Sequence, residues 1–209
     1  MVTADTSPRI QRTRAALIAA GLELLVDRPI DAIPIDDVVA RAGVAKGSFF
    51  NHFSDKYDFA GAVAEQVRME VEAEVARANS GVSDPFERIA GGMAVAARLA
   101  VDQPRRMLVL LRSQVPATSQ THPLNRGLKD DIEAALKMGL LRSQASHAAL
   151  PYWLGLCQVL MIHLIEIRPT RDVAAERLGD MLVLGLTGLG VPGGQAEEIA
   201  RMFRMRLAG

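Results

Sequence analysis

The sequence predicts an all-α protein, a short N-terminal three-helix module followed by a larger helical domain. Three observations carry this reading. Ala, Leu, Met and Arg, all good helix formers, dominate a composition in which Thr and Tyr are rare. Apolar residues recur at three- and four-residue spacing along most of the chain. Helix start and stop signals punctuate that pattern, the strongest being Asp84-Pro85-Phe86-Glu87, where an N-cap Asp precedes Pro at the first helical position.

Taken in order, residues 1–8 are expected to be disordered. A first helix is expected over Ile10–Asp27, with Ile10, Leu17, Ile18, Gly21, Leu22 and Leu25 on one stripe. Arg9, Arg12 and Arg14 crowd its start and oppose the helix dipole, a cost that phosphates lying there would relieve. The stretch 38–53 then reads as two short helices around a sharp turn. Val38 and Ala42 share one face of the first, and Gly43 stands where a left-handed conformation is wanted. Phe49 and Phe53, four residues apart, anchor the second. Ala45, Lys46, Gly47, Ser48, Asn51 and His52 are left on its outer side, a mix of small, cationic and hydrogen-bonding groups that suits a major groove.

Ser54-Asp55 caps a long helix over 55–78, with Phe59, Val63, Val67, Val71 and Val75 at helical spacing, ended by Asn79-Ser80-Gly81. The Asp84 start opens a helix carrying Phe86, Ile89, Met93, Ala97 and Ala100. Pro104 opens a short helix with Met107, Leu108, Leu111 and Val115, closed by Pro116; 117–122 reads as loop. Pro123 opens a further helix with Leu124, Leu128, Ile132, Ala135 and Leu136, ending at Gly139. A segment over 150–167, bounded by Pro151 and Pro169, is apolar on nearly all faces. Thr170 caps 171–189, Gly190 to Gly194 breaks it, and a last helix is expected over 196–207. Helices apolar all round must be buried twice, so 150–167 and 171–189 are expected to form a homodimer interface of two helices from each subunit.

The chain has 209 residues, 49% of them apolar but only 4% aromatic, so its core is aliphatic. Formal net charge is zero, and any affinity for nucleic acid must come from where the charges sit. One cysteine, Cys157, allows no intramolecular disulfide and fits a reducing compartment. No apolar signal core or uninterrupted apolar span is evident, so a soluble, cytoplasmic protein with no membrane partner is expected. Catalysis finds little support. The four histidines are scattered, Cys157 and His163 face different directions, and the adjacent pairs Asp36-Asp37 and Asp130-Asp131 diverge around their helices. No enzyme activity, metal or cofactor is expected.

The segment from Thr13-Arg14 through Lys56 resembles the DNA-binding domain of the TetR family of bacterial repressors. The residues that carry the resemblance are Thr13-Arg14, the helix from Leu17-Ile18 to Leu24-Leu25, Arg41-Ala42-Gly43-Val44, Lys46 through Phe53, and Asp55-Lys56. The chain departs from the family pattern at Pro29, Pro34 and Val39, and at Phe50, which stands where a phosphate-binding Tyr is common. The resemblance implies a helix-turn-helix head at 1–56 and a ligand-binding and dimerisation domain at 57–209. It implies that the helix after Lys56 links the two. The expected DNA contacts are Lys46 and Lys56 to phosphate or a base edge, Ser48 and Asn51 to bases, and His52 to phosphate. Arg14 and Arg41 would steer from the flanks, with Ala45 and Gly47 small enough for close approach and Phe50 also on the DNA-binding face, without the hydroxyl contact. Two-fold symmetry would set recognition helices about 34–36 Å apart on a palindromic operator.

The resemblance also implies a small-molecule pocket among the middle helices, for which Met93, Met107, Leu111, Arg112, Trp153, Cys157 and Met161 are the candidate walls. Gln158, His163 and Glu166, like Arg112, would need partners if buried. The expected function is a ligand-responsive DNA-binding regulator, a homodimeric repressor released by its effector. An activator or partner-controlled regulator of the same fold remains an alternative, as does a helical ligand-binding or scaffold protein with a degenerate head.

Overall fold

The computed structural model describes residues 8–112 and 125–209. Among these, every regular element is helical: α1 (Pro8–Leu25), α2 (Ile35–Ala42), α3 (Lys46–Phe50), α4 (Lys56–Ala78), α5 (Pro85–Asp102), α6 (Pro104–Leu111), α7 (Arg126–Lys137), α8 (Ala145–Ile167), α9 (Arg171–Leu189) and α10 (Gly193–Ala208). A short 3-10 turn, Ile30–Ala32, precedes α2. The described residues divide into two compact units, 8–68 with 108–112 and 69–107 with 125–209. The division falls inside α4, whose first half buries Phe59, Val63, Ala64 and Val67.

In the first unit α1 packs on α2 and α2 on α3. Leu17, Ile18, Leu24, Ile33, Val38 and Val39 supply the aliphatic part of the core. The rings of Phe49, Phe53 and Phe59 close it, their centroids 5.1–5.5 Å apart in tilted and edge-on pairs. Gly21 lets α4 come close: a Cβ there would lie 2.7 Å from Val63 Cγ2.

The second unit is built around α5, which packs on α7, α8, α9 and α10 and buries Phe86, Ile89, Met93, Ala97 and Ala100. The start read from the sequence forms as expected: Asp84 Oδ1 accepts from the N–H of Phe86 at 2.7 Å and of Glu87 at 3.0 Å. Helices α9 and α10 form an antiparallel pair, and Thr170 Oγ1 accepts from Val173 N–H at 3.5 Å to cap α9. A polar thread ties the α4–α5 turn to α7. Asn79 Nδ2 donates to Arg88 O at 2.9 Å, and Arg88 Nε donates to Asp131 Oδ1 at 2.6 Å.

Several helix bounds differ from those expected. α1 starts at Pro8, which suits the first helical position, and ends at Leu25. α8 begins at Ala145, so Pro151 lies inside it and does not bound it. The bond it forgoes is the one to His147 O, on an exposed flank where water can serve instead. α10 begins at Gly193, not at 196, because first-turn N–H groups lack helical partners whatever the residue and packing on α9 holds the element. α3 stops at Phe50, leaving Asn51 as its C-cap and Phe53 beyond it. The expectations placed on 1–7, Val115, Pro116, the loop 117–122, Pro123 and Leu124 lie outside the described residues.

Candidate nucleic-acid interface

The outer side of α3 is formed by local rules. Gly43 takes φ 66° and ψ 33°, and its N–H returns to Ala40 and Val39 carbonyls, so α2 ends in a left-handed turn. Val44 N–H follows to Val39 O at 3.0 Å. Phe49, wholly buried, then fixes which side of α3 faces inward. Ala45, Lys46, Gly47 and Asn51 are exposed, and Ser48 and His52 are half-buried. A Cβ on Gly47 would meet nothing within 4 Å, so backbone can approach closely there. Neither Pro34 before α2 nor Ala45 before α3 supplies a side-chain cap, so the N–H groups at both helix starts are left to other acceptors.

The flanking cations are held in place. Arg14 lies over the Phe53 ring, 5.5 Å from its centroid. Arg41 Nη1 donates to Glu23 Oε2 at 2.8 Å. Lys46 Nζ sits 2.9 Å from Asp36 Oδ1 and 3.1 Å from Oδ2. Lys56 Nζ donates to Asp31 O at 3.2 Å and lies 3.8 Å from Asp31 Oδ1. Phe50 projects outward, 53% exposed.

Tyr57 is a surface group that the sequence reading did not single out. It is 55% exposed, and its hydroxyl donates to Asp31 Oδ1 at 2.6 Å. That bond to a carboxylate, then the Asp31 charge, raises its pKa above the ordinary 10.0 and keeps the phenol neutral. It carries a phenolic hydroxyl on the head where Phe50 cannot. The signal available was its place beside Lys56 at the start of α4.

The pocket candidates divide. Met93, Met107, Trp153 and Met161 are buried, and Trp153, Cys157 and Met161 form one stripe of α8. Cys157 is half-buried; desolvation, then the nearby Glu72 charge, pushes its thiol up to about 12. Leu111 and Arg112 belong to the other compact unit, and Arg112 is exposed. Of the polar residues considered, His163 and Glu166 are exposed and Gln158 is half-buried, so no desolvated charge is created there. Among the described residues Trp153 Nε1 and Arg204 Nε are buried without a hydrogen-bond partner, and the first lies among the pocket candidates. A cleft between α7 and the start of α8, lined by Lys129, Glu133, His147 and Leu150, contains none of these candidates.

α8 is long and apolar enough to cross a membrane by length and composition, yet in this fold it packs on α5, α7 and α9.

Residues 17–63 match the family model for bacterial regulatory proteins of the tetR family. Over 49 residues the chain is 41% identical to the uncharacterized HTH-type transcriptional regulator YwcC of Bacillus subtilis (strain 168), which is 23% of this chain and 22% of that protein. The matched segment thus spans about a fifth of that relative's length. The fold as a whole is similar to the crystal structure of RolR in complex with resorcinol, with a TM-score of 0.63 and 21% identity, covering 92% of this chain and 94% of that one. It is also similar to a gamma-butyrolactone receptor, with a TM-score of 0.59 and 21% identity, covering 95% and 100%.

Proposed function

We propose that the chain, whose residues 17–63 match the tetR family model, is a ligand-responsive, homodimeric transcriptional regulator of the TetR family. Its partners on this reading are a palindromic double-stranded operator and a small-molecule effector that releases it, acting in the cytoplasm as a repressor. The observation that carries the reading is the outward face of α3. A buried Phe49 and a left-handed Gly43 hold Ala45, Lys46, Gly47, Ser48 and Asn51 together on the surface, in a form that fits a major groove. Ser48 and Asn51 read bases, Lys46, His52 and Lys56 hold phosphate, and Arg14 and Arg41 flank them.

The dimer reading is supported by apolar side chains that the single chain leaves in water: Val159 and Ile162 on α8 at 58% and 42% exposure, and Leu184 on α9 at 67%. The effector reading is supported by Trp153. Its indole N–H is buried and unpartnered on α8, so an uncharged ligand carrying a hydrogen-bond acceptor would satisfy it. The similar RolR structure is described as a complex with resorcinol.

Selection of bound sequences from a random DNA pool, repeated at two salt concentrations, tests the DNA half. Enrichment of a palindrome is expected; weak, unselective, salt-sensitive binding would count against a sequence reader. Trp153 is the single tryptophan, so its emission during small-molecule titration follows the effector half directly.

A further inference from the structure

The cations that α3 and its neighbours would offer to DNA already have internal counter-anions. Lys46, the first residue of α3, is held by both oxygens of Asp36 from the first turn of α2, at 2.9 and 3.1 Å. Arg41 is held by Glu23 at 2.8 Å and Arg28 by Asp37 at 3.1 Å, while Lys56 lies against Asp31. Arg14, by contrast, rests on the Phe53 ring. The Lys46 and Asp36 side chains are 58% and 69% exposed, and a pair in water at that exposure is weak enough to exchange.

On the DNA-binding reading above, we infer that Asp36 is a resident competitor for phosphate at Lys46, so that the head binds duplex by exchanging one anion for another and its grip on arbitrary sequence is restrained. The geometry requires the exchange. A phosphate that takes the Lys46 ammonium at hydrogen-bond distance must come within a few ångströms of the Asp36 carboxylate. That is well inside the screening length of about 10 Å at 0.1 M salt. The carboxylate must either swing away or repel the phosphate. Any duplex bears this cost, whereas a cognate site offsets it through base contacts from Ser48 and Asn51. Asp36 thereby lowers affinity for random DNA without touching a base. Such restraint fits a protein whose overall charge is zero and whose competing sites far outnumber its target.

The test is fluorescence anisotropy with a random-sequence duplex across a salt series, using the full chain as wild type, Asp36→Asn, Asp36→Ser, Lys46→Gln and the double variant Asp36→Asn/Lys46→Gln. Circular dichroism of each variant checks that the head is folded. Both Asp36 variants are expected to bind about two- to fivefold tighter than wild type at moderate salt. Their logarithmic salt slope should be steeper by roughly one. The gain should vanish in the double variant, because its source is the release of Lys46. Equal affinity of wild type and the Asp36 variants overturns the inference while leaving DNA binding intact. So does a gain that survives in the double variant, since that would be a general charge effect. A wild-type protein that fails to bind the duplex even at low salt removes the DNA-binding reading itself, and Asp36's role with it.

Discussion

The ring of Phe59 occupies the space that a side chain on Gly21 would need: a Cβ built on the glycine lies 2.3 Å from the ring's Cζ. Phe59 is itself held against Phe49 and Phe53, so it has little room to withdraw. Replacing Gly21 with Ala would gain up to ~1 kcal/mol in helix propensity but overpack this contact at ~1–3 kcal/mol. A net loss of stability is expected in urea denaturation. An unchanged midpoint would mean that α1 and α4 can separate freely.

Asp84→Ala is expected to destabilise the second unit by ~1 kcal/mol, because two N–H groups at the start of α5 lose their acceptor. Asp84→Ser should recover most of it. Chemical denaturation of the three proteins decides the matter, and equal losses in both variants would assign Asp84 some role other than capping.

Native Cys157 should resist alkylation at mildly alkaline pH. Cys157 is half-buried, but desolvation shifts its thiol from 9.0 to about 12, so thiolate is scarce and reaction should be slower than in the unfolded chain by at least roughly tenfold. Iodoacetamide labelling with and without denaturant measures the ratio. Comparable rates would show that the α8 stripe opens readily.

Asp131 titrates above its ordinary 3.8, chiefly because it is desolvated and despite the Arg88 pair that pulls the other way. Its ionisation is therefore disfavoured on folding. The stability it contributes is full below pH ~4 and lost as pH rises through the raised value. The stability of wild type relative to Asp131→Asn should accordingly fall with rising pH across that window. A difference that stays flat, or grows, would mean Arg88 dominates the site.

Much of this fold is legible in the sequence because its causes are local. Gly43, the Asp84-Pro85 start and the Thr170 cap each act within a few residues, and each appears where expected. Pro151 misled for the converse reason, since a proline inside a helix costs one exposed bond that packing of α8 can offset. The candidate site was legible only in part. Which side chains face outward follows from periodicity, but the pairing of Lys46 with Asp36 joins two different helices, and no spacing rule announces it. Likewise Trp153 reads as an apolar wall until the geometry leaves its N–H without an acceptor.

The α3 segment divides its labour between separate side chains. Phe49 and the aromatic cluster hold it from within, while Ser48 and Asn51 point away from that cluster. Substitutions at the outer positions therefore scarcely disturb folding. On the DNA-binding reading proposed above, a lineage carrying this head could change the DNA it prefers one residue at a time, never passing through an unfolded ancestor. The inner positions grant no such freedom, and drift in them would end the protein before it could acquire a new target.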